Sequence, residues 1–246
     1  MYKHISRLIL LYSLCIAAHA QVVDIRDPNL RAVIREELRI RPDSRITKED
    51  MLRLENLGAA RHDIKHLTGL EHATNLRSLS LWGNPLAELS PIADLRSLTY
   101  LDVAACSISD ITALSNLFNL SGLNVRFNRI VDIGPVENLT NLVSLRLEGN
   151  RIADVTPLAK LLQLTELYLN DNHIPDIRPL ENLVELETLD IRGNPVTDHT
   201  PLDGLALTHF YYDQNCELPP LPIHDRINLS KTWRCTICGS VSLNLD

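Results

Sequence analysis

The sequence predicts an α/β solenoid: a right-handed superhelix with a parallel β-sheet on its concave side, short 3₁₀ or irregular turns on its convex side, and an α-helical N-terminal cap. Three observations carry this reading. Apolar residues recur in phase with a strict 22-residue period. Each period holds a stretch of alternating apolar and polar residues, the pattern of a strand with one buried face. Ahead of the first period lie two segments with helix-start signals, the first with an apolar face of helical spacing.

The first segment, residues 1–20, reads as a secretory signal peptide. Lys3 and Arg7 give a positive start, Leu8 to Ala18 is apolar, and Ala18-His19-Ala20 is a small-x-small cleavage site before Gln21. The apolar stretch is shorter than the roughly 20 residues of a membrane helix. Leu14 is too bulky for the small residue that precedes a lipidated cysteine, so Cys15 reads as an ordinary member of the apolar stretch. The expected product is exported, to the medium, the periplasm or the cell surface, with no transmembrane segment after cleavage. Loss of Lys3 and Arg7 leaves 22 basic and 31 acidic side chains, a net charge of −9.

Residues 21–53 read as the cap. Asp27-Pro28 is an N-cap followed by proline at the first helical position, and Leu30, Val33, Ile34 and Leu38 fall on one helical face. Thr47-Lys48-Glu49-Asp50 resembles a capping box that starts a second helix through Met51 and Leu54. Such a cap covers the apolar end of the first repeat.

Residues 54–216 hold seven to eight repeats. Leu76, Leu98, Leu120, Leu142, Leu164 and Leu186 form one column, and Leu79, Leu101, Leu123, Leu145, Leu167 and Leu189 another. Leu81 to Ile191 and Leu86 to Val196 give two more with the same step. The unit L-x-x-L-x-L-x-x-N-x-I/L is the leucine-rich-repeat signature. One repeat cannot bury its apolar face alone, so neighbours stack as parallel strands about 4.8 Å apart. Ser90-Pro91, Thr156-Pro157 and Thr200-Pro201 read as N-caps of short convex turns, and Ile92 to Leu202 is a further inward column. The last unit comes one residue early, at Leu207, Phe210 and Tyr212, as a capping repeat would.

At the bend after each strand stands a structural ladder: Asn84, Cys106, Asn128, Asn150, Asn172 and Asn194. An amide there can bond backbone groups of its own and the adjacent coil. Cys106 takes the same place as a small buried residue. The acidic column Glu88, Asp110, Asp132, Asp154, Asp176 and Asp198 could suggest calcium. Each carboxylate lies in a different repeat with no second ligand beside it, so local backbone support is the better reading. No metal and no cofactor is expected.

Residues 217–246 read as a C-terminal tail or partial cap. Cys216, Cys235 and Cys238 are the candidates for a disulfide in an exported chain. Cys235-Thr236-Ile237-Cys238 could also suggest thiol chemistry, but a redox C-x-x-C belongs near a β-α-β pattern, which is absent here. No H-E-x-x-H, G-x-S-x-G or phosphate-binding loop is present, and the chain is not read as an enzyme.

The run from Ile64 to Leu76 (Ile64-Lys65-His66-Leu67-Thr68-Gly69-Leu70-Glu71-His72-Ala73-Thr74-Asn75-Leu76), the units Asp132-Ile133-Gly134-Pro135-Val136 and Asp176-Ile177-Arg178-Pro179-Leu180, and the cap sequence Asp27-Pro28-Asn29-Leu30 together resemble internalin-type bacterial leucine-rich-repeat proteins over residues 22–216. The resemblance implies binding of a protein partner on the concave sheet. No LPxTG-like wall-sorting end is found, which argues against an adhesin role through covalent wall attachment.

The candidate partner-binding residues are those that point away from the core leucines: Trp82, Tyr100, Arg126, Phe127, Arg146, Tyr168, Arg192 and Tyr211. Core positions are uniform while these vary, and interface hot spots favour Trp, Tyr and Arg. The bland alternative is a solvated sheet whose Arg126, Arg146, Glu148 and Arg192 pair across neighbouring strands. The net charge of −7 and the lack of a basic run exclude a nucleic-acid partner. The expected product is a monomer that binds a protein, with a glycan-binding or envelope-spacing protein as the competing reading and a thiol-active tail as the third.

Overall fold

The computed structural model describes residues 21–213, together with the backbone of two short paired strands, Arg234–Cys235 and Gly239–Ser240. The signal-peptide segment, Cys216, Cys238 and the side chain of Cys235 lie outside the described residues, and the disulfide expectation lies there with them.

Helix α1, Pro28–Leu38, begins where Asp27 accepts the N–H groups of Asn29 and Leu30. It buries Leu30, Val33, Ile34 and Leu38, the four residues that share its apolar face. It ends at Arg39, whose left-handed conformation turns the Ile40 N–H back onto the Arg35 carbonyl, while its own N–H bonds the Glu36 carbonyl. Helix α2, Lys48–Leu52, opens with a reciprocal capping box between Thr47 and Asp50. A single antiparallel bridge between Val22 and Thr47 ties the two halves of the cap together.

Eight three-residue strands follow: β1 Asn56–Gly58, β2 Ser78–Ser80, β3 Tyr100–Asp102, β4 Gly122–Asn124, β5 Ser144–Arg146, β6 Glu166–Tyr168, β7 Thr188–Asp190 and β8 His209–Tyr211. They form one parallel sheet in sequence order. The register places Leu57, Leu79, Leu101, Leu123, Leu145, Leu167, Leu189 and Phe210 side by side. All eight are buried, and each contributes on the order of 1.5–3 kcal/mol relative to exposure. The one-residue advance of the last unit is absorbed before Phe210, so its ring takes the place of a leucine.

Seven 3₁₀ turns, Leu70–His72 to Thr200–Leu202, line the opposite side of the described coils. Here the capping expectation needs correction. Ser90, Thr156 and Thr200 are the first residues of their turns, and no N-cap side chain bonds there. The acidic column does that work instead. Asp110, Asp132, Asp154, Asp176 and Asp198 each accept the N–H two residues on, at 2.7–2.9 Å. These bonds, from threonine side chains and backbone or from Arg178, hold Asp110, Asp154, Asp176 and Asp198 below the usual carboxylate range. Every one of these carboxylates is engaged with its own loop.

The asparagine ladder is explicit. Asn128 is buried; its Oδ1 accepts the N–H groups of Cys106 and Ile108, and its Nδ2 donates to the carbonyls of Val103 and Val125. Asn84, Asn150, Asn172 and Asn194 repeat the scheme, each stitching its own strand end to the preceding coil. Cys106 reproduces only the donor half. Its Sγ reaches the Leu81 and Ala104 carbonyls at 3.2 and 3.3 Å, and it has no oxygen to offer the previous coil. The Leu86 N–H that such an oxygen would take turns to the Asn84 carbonyl instead.

Candidate binding surface

The face of the sheet opposite the leucines is built from alternate strand residues and from the bend that follows each strand. In register across it run Asp102, Asn124, Arg146, Tyr168, Asp190 and Tyr211. Two residues beyond this row, counted from Gly58 and Ser80 in the first two coils to Asp190 in the seventh, stand Ala60, Trp82, Ala104, Arg126, Glu148, Asn170 and Arg192.

The residue after this second row is left-handed in seven consecutive described coils: Arg61, Gly83, Ala105, Phe127, Gly149, Asp171 and Gly193, with φ between 53° and 72°. The cause is the ladder between coils. From Arg61 to Asp171 each backbone N–H reaches the carbonyl of the next coil, such as Phe127 to Glu148 at 2.8 Å. Glycine meets this demand at no steric cost, whereas a side chain there costs about 1–2 kcal/mol. Phe127 is the bulkiest residue in the row and is 55% exposed.

Four arginines of the surface lie against aromatic rings. The Arg61 guanidinium is 3.9 Å from the centre of Trp82, Arg146 is 4.6 Å from Tyr168, Arg192 is 5.2 Å from Tyr211, and Arg126 is 5.5 Å from Phe127. Each contact contributes roughly 0.5–1 kcal/mol at exposed positions and fixes the ring and the cation together. Seven of the eight predicted residues thus enter such pairs, while Tyr100 stands apart with 41% exposure. Arg61 was missed by the sequence reading. Its signal was positional: it lies 22 residues before Gly83, in the bend column rather than a strand column.

The pairing expectation holds in part. Arg126 faces Glu148 across neighbouring strands at 3.6 Å, and Arg146 turns to Tyr168 rather than to a carboxylate. Arg192 pairs within its own strand end, its Nε donating to Asp190 Oδ1 at 2.9 Å. Asn124, Glu148 and Asp190 are buried polar residues beneath this layer. Burial raises the Tyr100 phenol above its ordinary value, helped by Asp102 and opposed by Arg146 and Arg126. Burial likewise raises Tyr168, with the Glu166 charge adding to it. Both tyrosines stay neutral donors at physiological pH.

Among the described residues no group of His, Cys, Asp and Glu could hold a metal ion, and no helix is long and apolar enough to cross a membrane.

A leucine-rich-repeat family model (two copies per match) covers residues 74–116, 119–160 and 163–205. The fold is similar to the crystal structure of an internalin (inlF) from Listeria monocytogenes, with 33% identity and a TM-score of 0.74 over 76% of this chain and 56% of that one. The chain therefore spans little more than half of that relative. Internalin C2 from the same organism is 31% identical with a TM-score of 0.65, over 76% of this chain and 93% of that one. A leucine-rich-repeat protein from Leptospira interrogans shares the fold at 23% identity and a TM-score of 0.60, over 68% of this chain and 46% of that one. No curated protein matches the sequence. The period, the sheet and these relatives agree, and the chain belongs to the leucine-rich-repeat family as an internalin-like member.

Proposed function

We propose that the chain is an exported binding module that recognises a protein partner through the concave face of its sheet and performs no catalysis. The observation that carries this reading is the set of arginine–aromatic pairs on one face. A solvated sheet face has no need of Trp82, Tyr100, Phe127, Tyr168 and Tyr211 on the same side of a core made of leucine. Large rings already held by a cation lose little freedom on binding, which is the property of a hot-spot anchor. The internalin relatives support a protein-interaction role at the level of the family. Export rests on the sequence of residues 1–20, and the monomeric state is part of the same proposal.

The test is affinity capture with the full chain and with a variant carrying Trp82, Tyr100, Arg126 and Tyr168 all changed to Ala. Both proteins are first matched by circular dichroism. A partner held by the native chain and lost by the variant is the expected result. Equal capture by both removes the concave-face assignment.

A further inference from the structure

The arginines of the concave face differ in how far their donors are satisfied. Arg192 is engaged bidentately: Nε and Nη2 both donate to the Asp190 carboxylate. Arg126 is not. Among the described residues its one ion pair, with Glu148, is 3.6 Å long and makes no hydrogen bond. The Arg126 Nε and the Glu148 Oε2 are both buried without a hydrogen-bond partner. Arg146 stacks on Tyr168, to whose hydroxyl it also lends a hydrogen bond, and, among the described residues, has no carboxylate within ion-pairing distance. The two incompletely satisfied guanidinium groups therefore rise from adjacent strands, with Arg146 in register beside Asn124 and Arg126 two residues beyond it. The Tyr100 phenol lies within electrostatic reach of both.

Two exposed rings bracket this point, and glycines hold them in place. A Cβ on Gly122 would stand 2.9 Å from the Tyr100 ring, and a Cβ on Gly149 would stand 2.5 Å from the Phe127 ring. Each aromatic thus lies across the bare backbone of the next coil. Gly122 and Phe127 are five positions apart along the chain, at most about 16 Å in extended geometry.

We infer that Arg126, Arg146 and the Tyr100 hydroxyl form a carboxylate-accepting subsite between the Tyr100 and Phe127 rings, and that the partner fills it with an acidic side chain set in an apolar protein segment. This rests on the concave-face reading above. The outer Nη groups of Arg126 and Arg146, rather than the buried Arg126 Nε, gain charge-assisted hydrogen bonds from such a group. A dense polyanion fits less well: Asp102, Glu148 and Glu166 lie near the site, and the whole chain is acidic at −7. A single carboxylate between apolar side chains meets the two arginines with less of that repulsion than a polyanion does, and its neighbours cover Tyr100 and Phe127.

The test titrates the full chain with the pentapeptide N-acetyl-Phe-Gly-Glu-Gly-Phe-amide and with its Gln counterpart, following arginine Nε–H signals by NMR. The acidic peptide should bind about tenfold tighter, with Arg126 and Arg146 signals shifting saturably. Arg146→Gln, a partly exposed position, should abolish the preference, and Arg126→Lys and Tyr100→Phe should weaken it. Arg96→Gln, on an exposed loop before β3, should leave it intact. Equal binding of the two peptides, binding of neither, or a preference that survives Arg146→Gln overturns the inference. A heparin hexasaccharide that displaces the acidic peptide and binds more tightly also overturns it, in favour of a sulfated glycan. Should a partner be captured through the concave face while the peptides show no preference, the binding module stands and the subsite falls. A peptide preference with no loss of capture in the four-alanine variant has the opposite meaning.

Discussion

Asp27 is joined to Lys65 across the seam between cap and sheet. Its Oδ2 accepts the Lys65 backbone N–H at 2.7 Å and that of His66 at 3.2 Å, while its Oδ1 caps helix α1 through Asn29 and Leu30. One buried carboxylate therefore starts the helix and fastens it to the first repeat.

Asp27→Ala should cost about 2–4 kcal/mol, the sum of a lost N-cap and of buried donors left unpaired at the seam. A shift of the urea midpoint measures it. The pH dependence has a definite sign. Burial acts to raise the Asp27 pKa, but the N–H groups of Lys65, Leu30, His66 and Asn29 outweigh it and hold the group below its ordinary value. A carboxylate depressed in the folded state contributes stability that is complete above about pH 4 and is lost as pH falls through the folded pKa. The native chain should lose stability in that acid window, and Asp27→Ala should show a smaller loss there.

At the other end of the stack the sign concerns a base. His199 occupies the column of Leu89, Ile111, Ile133, Val155 and Ile177, and packs on Tyr212 at 5.0 Å and Phe210 at 6.0 Å between ring centres. Burial lowers its pKa, partly offset by Asp198. Protonation therefore favours the unfolded chain, and stability should decline as pH falls from about 6.5 toward the folded pKa. His199→Ile should restore the apolar column and flatten this dependence in thermal melts between pH 7 and pH 5. An unchanged pH profile in the variant would show that His199 is not its source.

The ladder positions should differ sharply in cost. Asn128→Ala strands two N–H groups and two carbonyls in the core and should destabilise by about 3–5 kcal/mol. Cys106→Ala removes only weak S–H donation and a small apolar contact, and should cost about 1 kcal/mol. Burial also pushes the Cys106 thiol up, so the native chain should react slowly with a thiol reagent at this position until it is unfolded.

Phe127 and Gly149 should be energetically coupled. Gly149→Ala places a Cβ in the Phe127 ring at a left-handed position and should destabilise by about 2–3 kcal/mol. In a Phe127→Ala background the same change should cost about 1–2 kcal/mol, the backbone part alone. Phe127→Gly should leave folding stability within about 1 kcal/mol of native, because relief at φ 54° offsets the lost ring contact. A double-mutant cycle with no coupling would mean that the ring does not rest on Gly149.

The sequence by itself determined the fold, because a solenoid is a one-dimensional object. The 22-residue recurrence of Leu79, Leu101 and Leu123 states the strand, the buried face and the register at once, since only one stacking of the coils buries all the columns together. Asp27-Pro28 and Thr47 to Asp50 announced the cap for an equally local reason: an N-cap and a capping box are satisfied within a few residues. The candidate surface was legible only as columns of outward residues. Which of those side chains meet was decided by contacts between coils. Arg126 could pair with Glu148 or lie against Phe127, and it does both imperfectly. Arg146 had Glu148 and Glu166 nearby in register space and turned to Tyr168. Arg61 entered the surface through a left-handed bend that no composition marks, because Arg61, Ala105, Phe127 and Asp171 hold there a conformation that glycine holds in the coils between. The tertiary structure settles these choices because side-chain pairs on an open sheet differ by a kcal/mol or less, whereas the leucine core that sets the fold is stabilised many times over.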